Sequence, residues 1–378
     1  MSTIWLLACV PGAIIWIVIL LLPWRPWSTR ERLEGGGNSP PPDTSDLTVL
    51  IPARNEARQI GRTLAAIRGQ APDVAVLMVD DRSDDGSSEA ARAAGLANLR
   101  IIEGLPMPDG WTGKLWALDQ GLAEVETPQT LLLDADIELG PGIISALLEQ
   151  RRTKELQMVS LMATLETHGF WEKLLLPAFV YFFKLLYPFH LSNSSFRWVA
   201  AGAGGCVLIE TMILREIGAF DSLKDELIDD CALAAKVKAA GHRIWTGLSR
   251  SVVSHRRYNG LGKIWEMVAR TAYTQLRYSP LLLVGCVAAL SWAFWLPVLG
   301  LVAGTPAAQI ASLTALAAMI ATYLPTLRFY RLSPLWALML PVTGTLYLAM
   351  TINSAWRYYR GVRSTWRGRV YSSSPDSS

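Results

Sequence analysis

Residues 4–22, "IWLLACVPGAIIWIVILLL", contain no charged side chain. As a helix such a run crosses a bilayer, which takes about 20 apolar residues. A signal peptide is the rival reading, but residues 1–3 carry no basic group. The run also meets "PWRPWSTRER" instead of a small-residue cleavage site, which argues for an uncleaved anchor over 1–23. Three more runs of membrane length lie near the other end, at 281–304, 307–327 and 335–356. They help give the 378-residue chain its 51% hydrophobic and 18% charged composition. That balance is more apolar than an ordinary soluble protein of this length.

Arg25, Arg30 and Arg32 follow the first run. The positive-inside bias therefore puts the N-terminus outside and residues 24–280 in the cytoplasm. The tail 357–378 opens "RYYRGVRSTWRGR" and is basic as well, so the same rule holds it inside. One span plus three would leave it outside. The two readings conflict, and 335–356, where Pro341 and Gly344 interrupt the run, is the segment expected to be re-entrant or interfacial.

Net charge is only +3, so nothing points to nucleic acid; the arginines flank apolar runs and suit anionic lipid headgroups. Cys9, Cys206, Cys231 and Cys286 form no CxxC pair, and the four histidines show no metal-ligand spacing.

After a linker at 24–46, whose 33–46 stretch is rich in Gly, Pro and Ser, short apolar runs alternate with helix-like stretches. "LTVLI", "VAVLMV", "LRIIEG" and "TLLLDADIEL" read as strands, with "EARQIGRTLAAIRGQ", "SEAARAAG" and "KLWALDQGLAEV" as helices between them. This is the signature of βαβ units in a mostly parallel sheet covered on both faces, an α/β domain over 47–280. Ligands of such sheets bind at the carboxyl ends of the strands, where "PARNE", "DDRSDDGS" and "DAD" all fall. The aromatic segment 170–190, with Lys173 and Lys184, reads either as a core helix or as an interfacial helix with lysines at the headgroups. In a domain tethered at both ends the second reading is favoured.

In an extended segment Asp134 and Asp136 point the same way and repel unless something positive lies between them. Two such carboxylates can share Mg²⁺ or Mn²⁺, hard cations that take oxygen ligands and leave positions for phosphate. A solvated strand end with two ordinary aspartates is the bland alternative. Asp80 and Asp81 suit a base or ribose, but Asp, Ser and Gly are also turn formers. Lys114 in "GWTGK" stands at a helix start, favourable for phosphate, or on a solvated face. Asp229 and Asp230 open a helix, and N-capping accounts for one of them. "GAGGC" lacks the third glycine of a dinucleotide loop, and no Walker spacing is present.

Taken together, "VLIPARNE", "VDDRSDDGS", "GK" with "LWALDQG", "DAD" and "DDCAL" resemble, in order and spacing, family 2 glycosyltransferases with the GT-A fold, over 47–280. The anchor, the segment 170–190 and the apolar C-terminal end look like the hopanoid-biosynthesis-associated HpnB-type branch. The resemblance implies that Asn55, Glu56, Asp80 and Asp81 line the nucleotide and that Lys114 faces it. It makes Asp134 and Asp136 the diphosphate and metal motif, with Asp136 the direct ligand, and Asp230 the catalytic base of an inverting transfer. Two departures stand out. Asp119 replaces a frequent Asn, and "TQLRYSP" is a weak match to Q-x-x-R-W, with Gln275 two residues before Arg277 and Tyr278 in place of Trp. Arg277 is carried over as a diphosphate contact.

The sequence thus leads to a membrane-bound, metal-dependent transferase of the hexosyl type. It would move a sugar from a nucleotide-sugar, UDP-linked by expectation, to a lipid acceptor such as a hopanoid, at the inner face of a bacterial cell membrane. The segment 170–190 would guide that acceptor. The runner-up acceptor is polyprenyl phosphate. A different class, an inactive membrane scaffold, predicts no nucleotide affinity.

Overall fold

The computed structural model describes residues 2–37, 42–218, 220–224, 226, 228–366 and 369–372. Parts of the linker (38–41) and of the basic tail (367, 368 and 373–378) lie outside the described residues. In chain order the elements are α1 (Ser2–Leu21), β1 (Leu47–Ala53), α2 (Ile60–Gln70), β2 (Ala75–Asp80), α3 (Ser87–Ala93), β3 (Leu99–Glu103), α4 (Gly113–Ala123), β4 (Gln129–Leu133), β5 (Ile137–Leu139), α5 (Ile143–Thr153) and β6 (Met158–Leu165). Then come α6 (Phe170–Leu186), α7 (Phe189–Ser192), β7 (Cys206–Glu210), α8 (Thr211–Glu216), α9 (Asp229–Ala239), β8 (Ile244–Ser254) and α10 (Leu261–Gln275). The C-terminal part adds α11 (Pro280–Phe294), α12 (Leu296–Ala303), α13 (Pro306–Phe329), α14 (Leu340–Tyr359) and a hairpin of β9 (Val362–Trp366) with β10 (Arg369–Ser372).

Eight strands form one sheet in the order β3-β2-β1-β4-β7-β6-β8-β5. β3, β2, β1 and β4 run parallel, as the βαβ alternation requires, and β7 enters antiparallel between β4 and β6. β1 shows why the strand runs are so apolar. Its pleat sends Val49 and Ile51 into a core with Ile60 and Leu64 of α2, while Leu50 joins Leu115 and Leu118 of α4 on the opposite face. Both faces are covered, so β1, β2 and β4 carry no charged side chain before their last residue.

Four helical stretches are long and apolar enough to cross a membrane: Ile4–Leu21, Pro280–Ala303, Pro306–Phe329 and Pro334–Tyr359. The break expected at Pro341 and Gly344 is not there. Pro341 lies in the first turn of α14, where its missing N–H costs nothing. The interruption falls instead at Trp295, between α11 and α12, with Pro297 opening the second piece. Gly344 serves close packing, since a Cβ there would stand 2.7 Å from the Phe294 ring.

α6 corrects a second expectation. Lys184 does not reach a headgroup: it is 1% exposed and donates to the Ser28 carbonyl, just past the end of α1. Burial pushes its ammonium down to about 7, partly offset by Glu31. Leu174–Leu176 pack against Ile264 and Val268 of α10, and Ala178 and Tyr181 against Tyr323 of α13. The segment is therefore wedged between the sheet domain and the apolar helices.

Candidate active site

The polar clusters converge where β1, β2 and β4 end. β4 stops at Leu133 and β5 starts at Ile137, with Ile137 N–H donating to the Asp134 carbonyl at 3.1 Å. Asp134 and Asp136 thus sit in a turn, and the alternation of an extended strand does not govern them. Asp134 Oδ1 pairs with Lys114 Nζ at 2.7 Å. Asp136 accepts from Ser254 Oγ at 3.1 Å. The positive group sought between the two carboxylates is Lys114 for Asp134, with Arg256 acting on Asp136. Burial first, then the charge of Asp134, still hold the Asp136 carboxyl above its ordinary range.

Lys114 stands in the first turn of α4. Burial alone would lower its pKa, but Asp134, Asp229 and Asp230 together outweigh it and raise it. Asp230 stands in the first turn of α9. Its Oδ2 accepts from Gly204 N–H at 2.9 Å and its Oδ1 from Cys231 N–H at 2.8 Å. Burial, then the neighbouring Asp229, push its carboxyl up to about 6 despite those donors and Lys114. The stretch "GAGGC" now has a reason unrelated to nucleotide loops. A Cβ on Gly202 would collide with the Asp230 carbonyl oxygen, so only glycine lets this segment pass the start of α9. One pocket is lined by Lys114, Asp134, Gly204, Asp229 and Asp230 with Leu115 and Leu118 of α4.

The β1 and β2 ends form a laced neighbour to this pocket. Asn55, in the left-handed region at φ 53°, has its N–H on Ser83 Oγ at 3.0 Å, and its Oδ1 accepts from Asp84 N–H at 3.1 Å. Glu56 N–H donates to Ser87 Oγ at 2.8 Å. Asp80 accepts from Ser83 N–H at 2.9 Å and from the Ser88 hydroxyl. Asp81 is buried beside Arg54, Oδ2 to Nη1 3.5 Å. Asp80 therefore holds its own turn.

Arg277 is not brought to this place. It is exposed in the α10–α11 turn, in the left-handed region at φ 50°, and does not line the pocket. Gln275 is the residue of that motif with a link to the site. It accepts from the Tyr187 hydroxyl at 2.7 Å, and Tyr187 is held up to about 12 by burial, Cys231 and Asp230. The sequence offers no sign of Tyr187, because its partner is 88 residues away.

Asp134 and Asp136 suit a hard cation in their chemistry: two sources of oxygen ligands, one of them held up by burial and then by the charge of the other. Among the described residues no group of three or more His, Cys, Asp or Glu side chains could hold a metal ion. Two carboxylates do not make a closed protein cage, so a hard cation held by them would take its other ligands from elsewhere.

A sheet with this order, carrying its lysine and carboxylates at the strand ends and flanked by apolar helices, defines the GT-A class. A family model described as "Glycosyltransferase like family 2" matches residues 41–273, more than half of the chain, and the chain belongs to that family. A 4,4'-diaponeurosporenoate glycosyltransferase of Staphylococcus aureus is 36% identical over 92 residues, 24% of this chain and 24% of that protein. The match thus spans about a quarter of the length of that relative. A mannosyltransferase from Pyrobaculum calidifontis, solved with GDP-Man and Mn²⁺, superposes with a TM-score of 0.55 at 20% identity, covering 94% of this chain and 99% of that one. That likeness is one of fold.

Proposed function

We propose that this chain is a membrane-bound, inverting glycosyltransferase that moves a sugar from a nucleotide-sugar, UDP-linked in the first instance, to the hydroxyl of a lipid acceptor such as a hopanoid. The observation that carries this reading is Asp230, a half-buried carboxylate held up to about 6, in one pocket with Lys114 and Asp134. A base of that pKa takes a proton near neutral pH. Asp230 would accept the acceptor's hydroxyl proton while the oxygen attacks the anomeric carbon from the face opposite the leaving diphosphate, and inversion follows.

Lys114 would hold the diphosphate through its charge. Asn55, Glu56, Asp80 and Asp81 would shape the nucleotide side. Asp134 and Asp136 would hold Mg²⁺ or Mn²⁺, which supplies electrostatic stabilisation of diphosphate when bound. The diaponeurosporenoate in the name of the Staphylococcus aureus relative and the four apolar helices both favour a lipid acceptor at a membrane, and the arginines that follow α1 favour its cytoplasmic face.

The test is transfer of radiolabelled sugar to extracted lipids by wild type, Asp136→Ala and Asp230→Asn. Losses of about 10²-fold or more are expected in Asp230→Asn. Equal turnover in all three would overturn the assigned roles. Retained activity in Asp230→Asn alone would point to an already ionised acceptor such as polyprenyl phosphate. Micromolar UDP binding with Mn²⁺ by calorimetry separates an enzyme from an inactive scaffold.

A further inference from the structure

The loop 193–199 carries two large aromatics into solvent: Phe196 is 46% exposed and Trp198 88% exposed, with Arg197 exposed between them. Its stems are fixed. Lys238 Nζ donates to the carbonyls of Leu191 (3.2 Å), Ser192 (2.6 Å) and Val199 (2.8 Å). Asn193 and Thr246 exchange two hydrogen bonds, at 2.9 and 2.7 Å. The buried Lys238 thus ties the end of α7 to Val199 and fixes both ends of the loop. Exposed Trp and Phe beside a basic residue suit a membrane–water interface.

The position of the loop supports the same partner. Phe189 and Ala201, one on each stem, lie in one cluster with Phe329 and Tyr330, the end of α13. The loop therefore projects beside the point where a membrane-length helix meets the domain. That point is ringed by arginines. Arg250 donates to the carbonyls of Phe329 (2.8 Å) and Arg328 (2.9 Å), and burial, then the charges of Arg331 and Arg32, lower its pKa. Glu34 is the acid that acts on Arg250 in the opposite sense.

We infer that the loop 193–199 and the arginines at the end of α13 form a docking surface for the anionic headgroups of the leaflet facing the domain, with Phe196 and Trp198 at the interface. It depends on the apolar helices being embedded and not on the identity of the sugar or acceptor.

The experiment uses the full chain in lipid nanodiscs, in a Cys286→Ser background; the other three cysteines are buried. Phe196→Cys and, separately, Trp198→Cys are labelled with an environment-sensitive fluorophore and compared with Leu105→Cys, an exposed site after β3 at the opposite edge of the sheet. Discs contain phosphatidylcholine, with or without phosphatidylglycerol, and a doxyl-lipid quencher. Blue-shifted emission at 196 or 198, with quenching about twofold or more above that at 105 and stronger with phosphatidylglycerol, is expected. Arg328→Glu with Arg331→Glu should remove the phosphatidylglycerol increment. Water-like emission at both loop sites, quenching equal to that at 105, or no response to phosphatidylglycerol would overturn the inference. Because both loop sites are exposed, their replacement leaves no cavity. Sugar transfer, measured separately, reports on the proposed reaction alone.

Discussion

Asp230 is where a single side chain ties stability to chemistry. Its carboxyl is raised to about 6 in the folded protein against an ordinary 3.8. A raised acid favours the fold below its unfolded pKa, and that contribution is lost as pH rises through about 6. At neutral pH the ionised group is therefore a burden on the fold. Asp230→Asn is expected to melt higher than wild type at pH 7.5, to lose that advantage near pH 4, and to lose activity throughout. If Asp230 is the base we propose, the wild-type rate should climb as pH passes about 6, the range in which its carboxylate becomes available. A melting series and a rate profile check both limbs. Lys114 lowers the Asp230 pKa. Lys114→Met should thus move the acid limb to higher pH as well as weaken donor binding, whereas a residue that only held the diphosphate would leave the limb in place.

At the scale of elements, the site depends on how closely the segment before β7 passes α9. The would-be Cβ of Gly202 collides with the Asp230 carbonyl, and that of Gly204 lies 3.2 Å from Lys114 Nζ. Gly202→Ala should displace the start of α9, cost about 1–3 kcal/mol as an overpacked position, and reduce turnover more than it reduces nucleotide binding. Melting and calorimetry separate those effects. Strands β1 to β4 and helices α2 to α4 are legible in the sequence because each apolar run ends in turn formers and polar groups; β6, β7 and β8, whose pairing joins distant parts of the chain, are not. Lys114, Asp134 and Asp230 are legible as a set only through the resemblance of the joint pattern, since each alone has an ordinary helix-start or strand-end reading. Strand alternation does not decide how Asp136 lies relative to Asp134, because it holds only while a strand lasts and β4 ends at Leu133. Arg277 and Tyr187 escape a reading of motifs because position there is decided by how α6 meets α10, a contact between distant parts of the chain.

For the whole molecule, the contacts of α14 decide how the chain's ends are arranged across a bilayer. Its start is on the domain side: Leu340 and the preceding Ala337 cluster with Leu327, close to the domain end of α13. Its middle lies on α6, where Tyr347 donates to the Leu175 carbonyl at 2.9 Å. It runs along α11, from Thr345, which accepts from Trp295 at 2.6 Å, to Tyr358, which stacks on Tyr278 with centroids 4.5 Å apart. Trp265 and Tyr273 of α10 bond Asn353 and Ser354 near that second end. From those contacts with the domain and its flanking helices at its start, middle and end, we predict that α14 stays on the domain side, although its length and apolarity match a span. On that prediction the crossings are α1, the kinked pair α11 and α12, and α13. Three crossings, with the N-terminus outside as the arginines after α1 lead one to expect, would bring the end of α14 and the chain that follows it to the domain side. Fusions at the C-terminus are expected to give fluorescent green fluorescent protein and inactive alkaline phosphatase. The reverse pattern would mean that α14 crosses, and that its bonds to α10 cannot all form in the membrane.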